Sequence, residues 1–126
     1  DSHKLWESKV GANVTSPVYH DGHIYWAGDK GLANCLEAKT GKDLFRERLP
    51  TRGRIYASIV RAGGKLYMTT RDQGVLVIKA EPTYQEIALN TIDGDPNMFN
   101  ASPAISGQQL LLRSDSFLYC IGSKAE

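Results

Sequence analysis

Short apolar segments separated by turn residues recur along the whole chain. Residues 18–26, VYHDGHIYW, predict two strands joined by a tight Asp-Gly turn. Residues 59–68 repeat this hairpin around Gly-Gly, and residues 104–112 repeat it around Gly-Gln. After each hairpin come a second turn and a third apolar segment, at residues 32–36, 75–78 and 117–121. Because helical periodicity is nearly absent, the pattern predicts a chain of strands with almost no helix.

A serine stands just before each hairpin and gives the repeat its length. Ser16, Ser58 and Ser102 lie 42 and 44 residues apart. A repeat of this length with four short strands is typical of a β-propeller blade. One four-stranded sheet cannot bury both of its faces, whereas sheets stacked around an axis cover one another. A β-sandwich whose hairpins are alike by accident is the alternative, but three ordered correspondences in each copy favour the propeller.

A fourth, outer strand completes the predicted blade. In the first copy the turn Lys39–Lys42 leads into residues 43–49, DLFRERL, whose charges suit an edge strand. Residues 4–10, KLWESKV, match this outer strand position by position but precede the first hairpin. We therefore predict an all-β chain of eleven or twelve strands in three four-stranded antiparallel sheets, forming a partial propeller or a ring closed by oligomerisation. The predicted parts are an outer strand of a preceding or neighbouring blade at residues 1–12, blade 1 at 13–50, blade 2 at 51–92, and blade 3, without its outer strand, at 93–126.

The overall composition argues against two classes of protein. The 126 residues are 41% hydrophobic and 23% charged, as in an ordinary globular domain. The 15 basic residues are scattered among 14 acidic ones, for a formal net charge of +1, which argues against a nucleic-acid-binding surface. No apolar run approaches the roughly 18 residues that a transmembrane helix needs, so no membrane-spanning segment is expected.

The two cysteines, Cys35 and Cys120, each lie in the third apolar segment of a repeat. We predict that they occupy corresponding third strands of blades 1 and 3 and that both point into a core between blades. Buried among apolar neighbours, they would be free thiols. They would also be too far apart to form a disulfide, which needs Cα atoms within about 7 Å.

Two sets of polar residues resemble metal ligands but have simpler explanations. Asp29, Asp72 and Asp115 recur at the same turn position, where local hydrogen bonding favours aspartate. His20 and His23 flank a tight turn, and the sequence offers no third ligand beside them. We therefore predict no metal-binding residue in this chain.

Two further motifs fail as catalytic or phosphate-binding elements. Ser16 and Ser58 have no base placed to activate them as nucleophiles. The turn Lys39–Lys42 lacks the preceding glycines and the following helix of a phosphate-binding loop. The sequence predicts neither a catalytic nor a cofactor-binding residue.

The first repeat nevertheless resembles a known family. Residues 16–45, SPVYHDGHIYWAGDKGLANCLEAKTGKDLF, are similar to the repeat of the pyrroloquinoline-quinone (PQQ)-like propeller family, which includes quinoprotein dehydrogenases and bacterial PQQ-like repeat proteins. In that family a motif after the third strand docks adjacent blades together. The residues that match the motif are Ala38, Thr40 and Gly41. Phe45 stands where the family usually has tryptophan, and Trp6 holds the equivalent place near the N-terminus.

The resemblance implies a larger protein and two possible functions. Family members usually have about eight blades, so this chain is similar to the last three of them. In the dehydrogenases, PQQ and calcium are held by a disulfide between adjacent cysteines, a stacking tryptophan, and Glu, Asn and Asp ligands. This chain has no adjacent cysteines, and Trp26, the candidate for stacking, also suits a core position.

The preferred interpretation is therefore a non-catalytic PQQ-like propeller module that acts as a binding or assembly scaffold. The C-terminal part of a PQQ-dependent dehydrogenase, with PQQ and calcium, is the alternative. The resemblance implies a periplasmic or cell-envelope location. The expected partners are the missing blades of a longer chain, further copies of this chain, or another protein. Candidate contact residues on the longer loops are Arg52, Arg54, Arg71, Met98 and Phe99. For Met98 and Phe99, packing against a neighbouring blade is an equal alternative.

Overall fold

The computed structural model describes residues 3–52 and 54–123. Within these residues the chain forms eleven strands and no helix. The strands are β1 (Val18–His20), β2 (His23–Ala27), β3 (Leu32–Glu37), β4 (Asp43–Arg48), β5 (Val60–Ala62), β6 (Lys65–Thr69), β7 (Val75–Lys79), β8 (Glu86–Asn90), β9 (Ala104–Ser106), β10 (Gln109–Arg113) and β11 (Leu118–Ile121). The predicted number of strands is confirmed, and no helix in this part of the chain could cross a membrane.

The strands form three antiparallel sheets in the order of the sequence. The first sheet is β1-β2-β3-β4 and the second is β5-β6-β7-β8. The third sheet has three strands, in the order β11-β10-β9, so β11 lies at its edge. The all-β architecture of propeller blades is thus confirmed, and the sheet without an outer strand is the third.

Each sheet has two faces, which we call front and back. The front face points to the next sheet along the chain, and the back face points to the preceding one. Because side chains alternate along a strand, the face of each residue follows from the strand register. On the front of the first sheet, Cys35 lies between Tyr25 and Phe45 on the neighbouring strands. On the back of the second sheet, Leu66 pairs with Ile78.

Two hydrophobic cores join the three sheets. The larger one contains the front of the first sheet and the back of the second, and its members include Tyr25, Cys35, Phe45, Leu66, Met68, Leu76 and Ile78. The smaller core joins the front of the second sheet, through Val75 and Val77, to Leu112 on the back of the third. Radial stacking of similar sheets, each covering its neighbour, is the packing that the repeat predicted.

The prediction that both cysteines are buried is confirmed for Cys35 only. Cys35 on β3 is 0% exposed, whereas Cys120, at the corresponding position on β11, is exposed; neither forms a disulfide. The prediction that Cys120 is buried is therefore wrong for the described structure. The physical reason is that Cys120 lies on the front of the third sheet, and no described residues form a sheet in front of it.

We expect the two thiols to react at very different rates. Burial raises the pKa of Cys35 to about 11, so almost none of its thiol is ionised at pH 8, and access is blocked as well. In dilute native protein, a thiol-reactive dye should modify Cys120 at least about a hundredfold faster than Cys35. Absorbance would follow the reaction, and a Cys120→Ser variant identifies the fast phase. Two phases of equal rate would contradict this arrangement.

Candidate binding surfaces

The three serines that mark the repeat also connect the sheets. The backbone N–H of Ser16 donates to the Ser58 hydroxyl oxygen at 2.9 Å. The backbone N–H of Ser58 donates to the Ser102 hydroxyl oxygen at 2.8 Å. We call this chain of bonds the serine ladder. The spacing of the serines is evident from the sequence. Their hydrogen bonds are not, because these bonds form only between stacked sheets.

Trp6 is seated on the turn that the family resemblance singled out. Its indole N–H donates to the carbonyl oxygen of Ala38 at 2.9 Å. Its ring lies so close to Gly41 that a Cβ there would come within 2.5 Å of it. Phe45 packs in the same way one repeat later, edge-on to Tyr84 with 5.6 Å between ring centroids. An aromatic side chain from one outer segment thus rests on the turn of the following sheet.

The segment that carries Trp6 does not form a strand. Residues 4–10 have no ladder partner among the described residues, although they match β4 in sequence. The assignment of residues 1–12 to the outer strand of another blade, together with the other blade boundaries, stays a prediction. Residues 1–2, 53 and 124–126 lie outside the described part of the chain.

An open apolar cleft lies behind the first sheet. It has a volume of about 330 Å³, and its walls include Trp6, Val10, Ile24, Trp26 and Leu36. The indole N–H of Trp26 is buried without a hydrogen-bond partner among the described residues. Since buried polar groups are nearly always satisfied, the back of the first sheet is an incompletely partnered surface.

The front of the third sheet is the apolar counterpart of that cleft. Leu118 is 71% exposed, and Cys120 is exposed beside the half-buried Leu111 on the neighbouring strand. We call these three residues the apolar front. Phe117, just before β11, is exposed as well. Exposed apolar side chains that are grouped in this way mark interaction surfaces in many proteins.

Two of the predicted contact arginines lie together on the loops. Arg54 donates to the hydroxyl oxygen of Tyr56 at 3.2 Å. The guanidinium of Arg71 lies 4.6 Å from the centre of the Tyr56 ring and donates to the Asn100 side-chain oxygen at 2.8 Å. Tyr56 thus holds two cations at one exposed spot, where a cation–π contact is worth about 0.5–1 kcal/mol. Arg52 is joined to the next loop through its backbone N–H, which donates to Gln73.

The other two predicted contact residues, Met98 and Phe99, differ in their exposure to solvent. Met98 is exposed, but Phe99 is only 7% exposed and stacks on Tyr119 with 6.3 Å between ring centroids. The prediction of Phe99 as a surface contact is therefore wrong: its ring packs on Tyr119 of the third sheet, and its backbone N–H donates to the carbonyl oxygen of Arg71 in the second repeat. A sequence cannot distinguish the two residues, because both are apolar and sit side by side in one loop.

Asp95 anchors this loop to the third sheet. The hydroxyl of Tyr119 donates to one carboxylate oxygen of Asp95 at 2.6 Å, and the backbone N–H of Asn97 donates to the other at 2.9 Å. The bond from Tyr119 is the main cause that lowers the pKa of Asp95 to about 2. The pair joins two segments 24 residues apart, which no local sequence pattern reveals.

We expect Tyr119→Phe to raise the pKa of Asp95 back toward the ordinary value of about 4. A carboxyl whose pKa is lowered by folding stabilises the protein above about pH 4, and that contribution is lost as the pH falls toward 2. The variant should therefore lose less stability between pH 4 and pH 2. NMR titration of the Asp95 carboxyl gives the pKa. Tyr84→Phe removes a similar bond, to Glu86, and should leave Asp95 unchanged. An Asp95 pKa that stays near 2 in Tyr119→Phe would contradict the assignment.

The described residues do not fit the PQQ site that the resemblance implies. Cys35 and Cys120 lie on different sheets, so they form no vicinal pair. Trp26 is 6% exposed within the back of the first sheet, so its ring is not open for stacking. In the described residues no three His, Cys, Asp or Glu side chains are grouped as metal ligands.

Comparisons with known proteins place the chain among propeller repeats. A family model described as outer membrane protein assembly factor BamB matches residues 1–116. Quinohemoprotein alcohol dehydrogenase ADHIIG from Pseudomonas putida HK5 shares the fold, with a TM-score of 0.57 and 15% identity over 86% of this chain. The match spans 17% of that enzyme's chain. The computationally designed Ika4 protein gives a TM-score of 0.61 at 8% identity, over 97% of this chain and 99% of its own. A search of curated proteins finds no match.

Proposed function

This chain belongs to the family of PQQ-like propeller repeats described as outer membrane protein assembly factor BamB, and from that premise we propose that it is a non-catalytic module that acts as a binding or assembly scaffold. The observation that carries the proposal is the apolar front, which lies exposed on one face of the third sheet, next to the exposed Arg113 that pairs with Leu118. A flat sheet face suits a protein partner better than a small ligand, which needs a concave site.

The remaining surfaces support the same role. The cleft behind the first sheet is apolar and open, and the two arginines held by Tyr56 add a positive spot on the loops. Interfaces commonly combine an apolar centre with arginine and aromatic residues. The partners that we propose are further propeller blades, from a longer chain or from other copies, or a separate protein. The family description fits a periplasmic or cell-envelope location, which we also propose.

A cofactor assay tests the non-catalytic role against the dehydrogenase alternative. The 126-residue chain would be mixed with PQQ and Ca²⁺, and the reduction of an artificial dye would be followed with alcohols and sugars as substrates. We expect no reduction beyond that of PQQ and Ca²⁺ alone, because the described residues offer no PQQ site. Calcium-dependent dye reduction that is abolished by Trp26→Phe would reject the scaffold proposal in favour of the dehydrogenase.

A further inference from the structure

We propose that the loops beside the second sheet bind an acidic segment of a partner protein, with the guanidinium groups of Arg54 and Arg71 each receiving a carboxylate. We call these two residues the arginine pair. This inference rests on the proposed scaffold function and adds the chemistry of one partner. Arg54 precedes β5, and Arg71 lies between β6 and β7. The second sheet has a neighbouring sheet on each face, so the pair does not owe its exposure to a missing sheet.

Tyr56 brings the two guanidinium groups together. Arg54 donates through Nη1 to the Tyr56 hydroxyl oxygen at 3.2 Å. The guanidinium carbon of Arg71 lies 4.6 Å from the centre of the same ring. The two positive charges therefore meet at one side chain, one at its hydroxyl and one over its ring.

Arg71 is fixed in place by its own chain. Its Nε–H donates to the side-chain oxygen of Asn100 at 2.8 Å, and its backbone carbonyl oxygen accepts from the N–H of Phe99 at 2.8 Å. Phe99 is in turn buried and stacked on the third sheet. A side chain that is already held loses less conformational entropy when it binds a ligand. The arginine pair is therefore pre-organised at its Arg71 end.

Most N–H donors of the pair are open. A guanidinium has five N–H donors. Arg71 uses its Nε–H, and its two Nη groups donate to no described residue. Arg54 uses only Nη1 within the described part of the chain. The open nitrogens present the planar fork that binds a carboxylate through two parallel hydrogen bonds.

No described carboxylate neutralises the pair. None lies within 4.0 Å of either guanidinium. Asp29 acts on the charge of Arg54 only from a distance, and its carboxylate accepts a hydrogen bond from Asn13. Asp72, which follows Arg71, forms no ion pair with a described residue. Two adjacent cations without a counterion create a local positive potential, which attracts and orients an anionic partner.

The surroundings of the pair favour carboxylates over a phosphate group. Phosphate sites in proteins are commonly built from backbone N–H groups, at a nest or at a helix N-terminus. Here the N–H of Arg52 donates to Gln73, and the N–H of Phe99 donates to Arg71. The described residues form no helix. The loops therefore offer separate guanidinium groups, which suit separate carboxylates on neighbouring Asp or Glu side chains.

An apolar side chain near the pair favours a peptide over a free acid. Met98 is 40% exposed, and the two residues that follow it, Phe99 and Asn100, are those that hold Arg71. Methionine adapts its shape to many apolar partners. An acidic segment that also carries an apolar residue can therefore contact Met98 while its carboxylates bind the arginine pair. Such a mixture of apolar and arginine contacts is common in protein interfaces.

Fluorescence anisotropy with a labelled peptide tests the site. The short peptide has glutamate at alternate positions and one leucine, and its matched control has glutamine in place of every glutamate. With the 126-residue chain raised from about 1 µM to about 1 mM, the glutamate peptide should bind at least about tenfold more tightly than the control. Its affinity should fall as the salt concentration rises from about 25 mM to about 300 mM, because exposed charges are screened. Equal binding of the two peptides would overturn the proposal.

Substitutions locate the binding on the chain. Arg71→Gln should weaken binding of the glutamate peptide by about tenfold, because it removes the fork. Arg54→Gln should weaken it by about threefold, since Arg54 is exposed and held by one bond. Arg71→Lys, which keeps the charge without the fork, should recover only part of the lost affinity.

Arg61→Gln is the matched control for these variants. It removes the same charge at an exposed residue of β5, at the hairpin end of the strand, and should change the affinity by less than about twofold. Because Arg54 and Arg61 are both exposed, their comparison holds even where Arg71→Gln loosens its loop. An Arg61→Gln variant that weakens binding as much as the variants of the arginine pair would reject the site.

Competition identifies the source of the carboxylate. Glutarate, a free dicarboxylate, and inorganic phosphate should each displace the peptide only at concentrations at least about tenfold above the Kd of the peptide. Displacement by glutarate at the Kd of the peptide would assign the pair to a small acid. Displacement by phosphate at that concentration would assign it to a phosphate group. Either result would overturn the acidic segment as the ligand.

The two proposals fail in different ways. Absence of binding by the glutamate peptide would reject the acidic segment but leave the apolar front as the contact of the scaffold. Dye reduction with PQQ and Ca²⁺ would reject the scaffold function, whereas peptide binding that is lost in Arg71→Gln and kept in Arg61→Gln would still support the arginine pair as a carboxylate site.

Discussion

Gly74→Ala should destabilise the protein by about 3 kcal/mol or more, which is at the upper end of the usual range for single substitutions. Gly74 has a φ of +101°, a conformation that disfavours an alanine by about 1–2 kcal/mol. A Cβ at this position would also lie 2.1 Å from the carbonyl oxygen of Asn90. That oxygen belongs to the end of β8, which is paired with β7, so it cannot move without separating the two strands.

Chemical denaturation of the variant would measure this loss. Gly63→Ala is the matched control, because Gly63 also has a positive φ, +56°, but a Cβ there would meet no atom within 4 Å. The control should therefore lose only about 1 kcal/mol, the cost of the backbone conformation alone. Similar losses in the two variants would show that the contact between Gly74 and Asn90 is not as close as described.

The fold was largely predictable because its signals are local and repeated. Turn residues such as those of the Asp-Gly hairpin, and the alternation of apolar residues around them, specify each strand without reference to the rest of the chain. The spacing of Ser16, Ser58 and Ser102 then indicated stacked sheets of one kind. The comparison of residues 4–10 with residues 43–49 also assigned Trp6 the repeat position of Phe45, whereas its contact with the turn at Gly41 is a finding of the structure.

Burial and long-range contacts were less predictable, because they depend on which surfaces meet. Cys35 and Cys120 have the same position in the repeat, yet only Cys35 has a described sheet in front of it. The sequence treats the two alike, since repeat position does not say whether a neighbour is present. The bond between Tyr119 and Asp95 likewise joins a strand to a distant loop and leaves no local pattern.

The candidate surfaces are found by comparing the burial of residues that have the same position in different repeats. Where a repeat position is buried in one sheet and exposed in another, the exposed copy indicates a missing partner. Leu118 shows this, because its equivalents in the first and second sheets, Ala33 and Val75, are both buried. Comparison within one chain therefore identifies the front of the third sheet as the surface for which we propose a binding role.

Trp6→Ala should cost about 2 kcal/mol of unfolding free energy, because it removes a large ring from the turn at Gly41 and the indole bond to Ala38. The ring is half-buried, so the loss is smaller than in a closed core. Leu5→Ala is the matched control. Leu5 is 90% exposed in the same segment, and its replacement should change stability by less than about 0.5 kcal/mol.

A double-mutant cycle between Trp6 and Gly41 would isolate their contact. Gly41→Ala alone should cost about 2 kcal/mol, because Gly41 has a φ of +75° and the added Cβ would displace the ring. After Trp6→Ala, the ring is absent, and the same change should cost only the backbone part, about 1 kcal/mol. The difference, about 1 kcal/mol, is typical of coupling between residues in contact. Strictly additive losses would mean that Trp6 does not rest on this turn, and the position of residues 4–10 behind the first sheet would then be wrong.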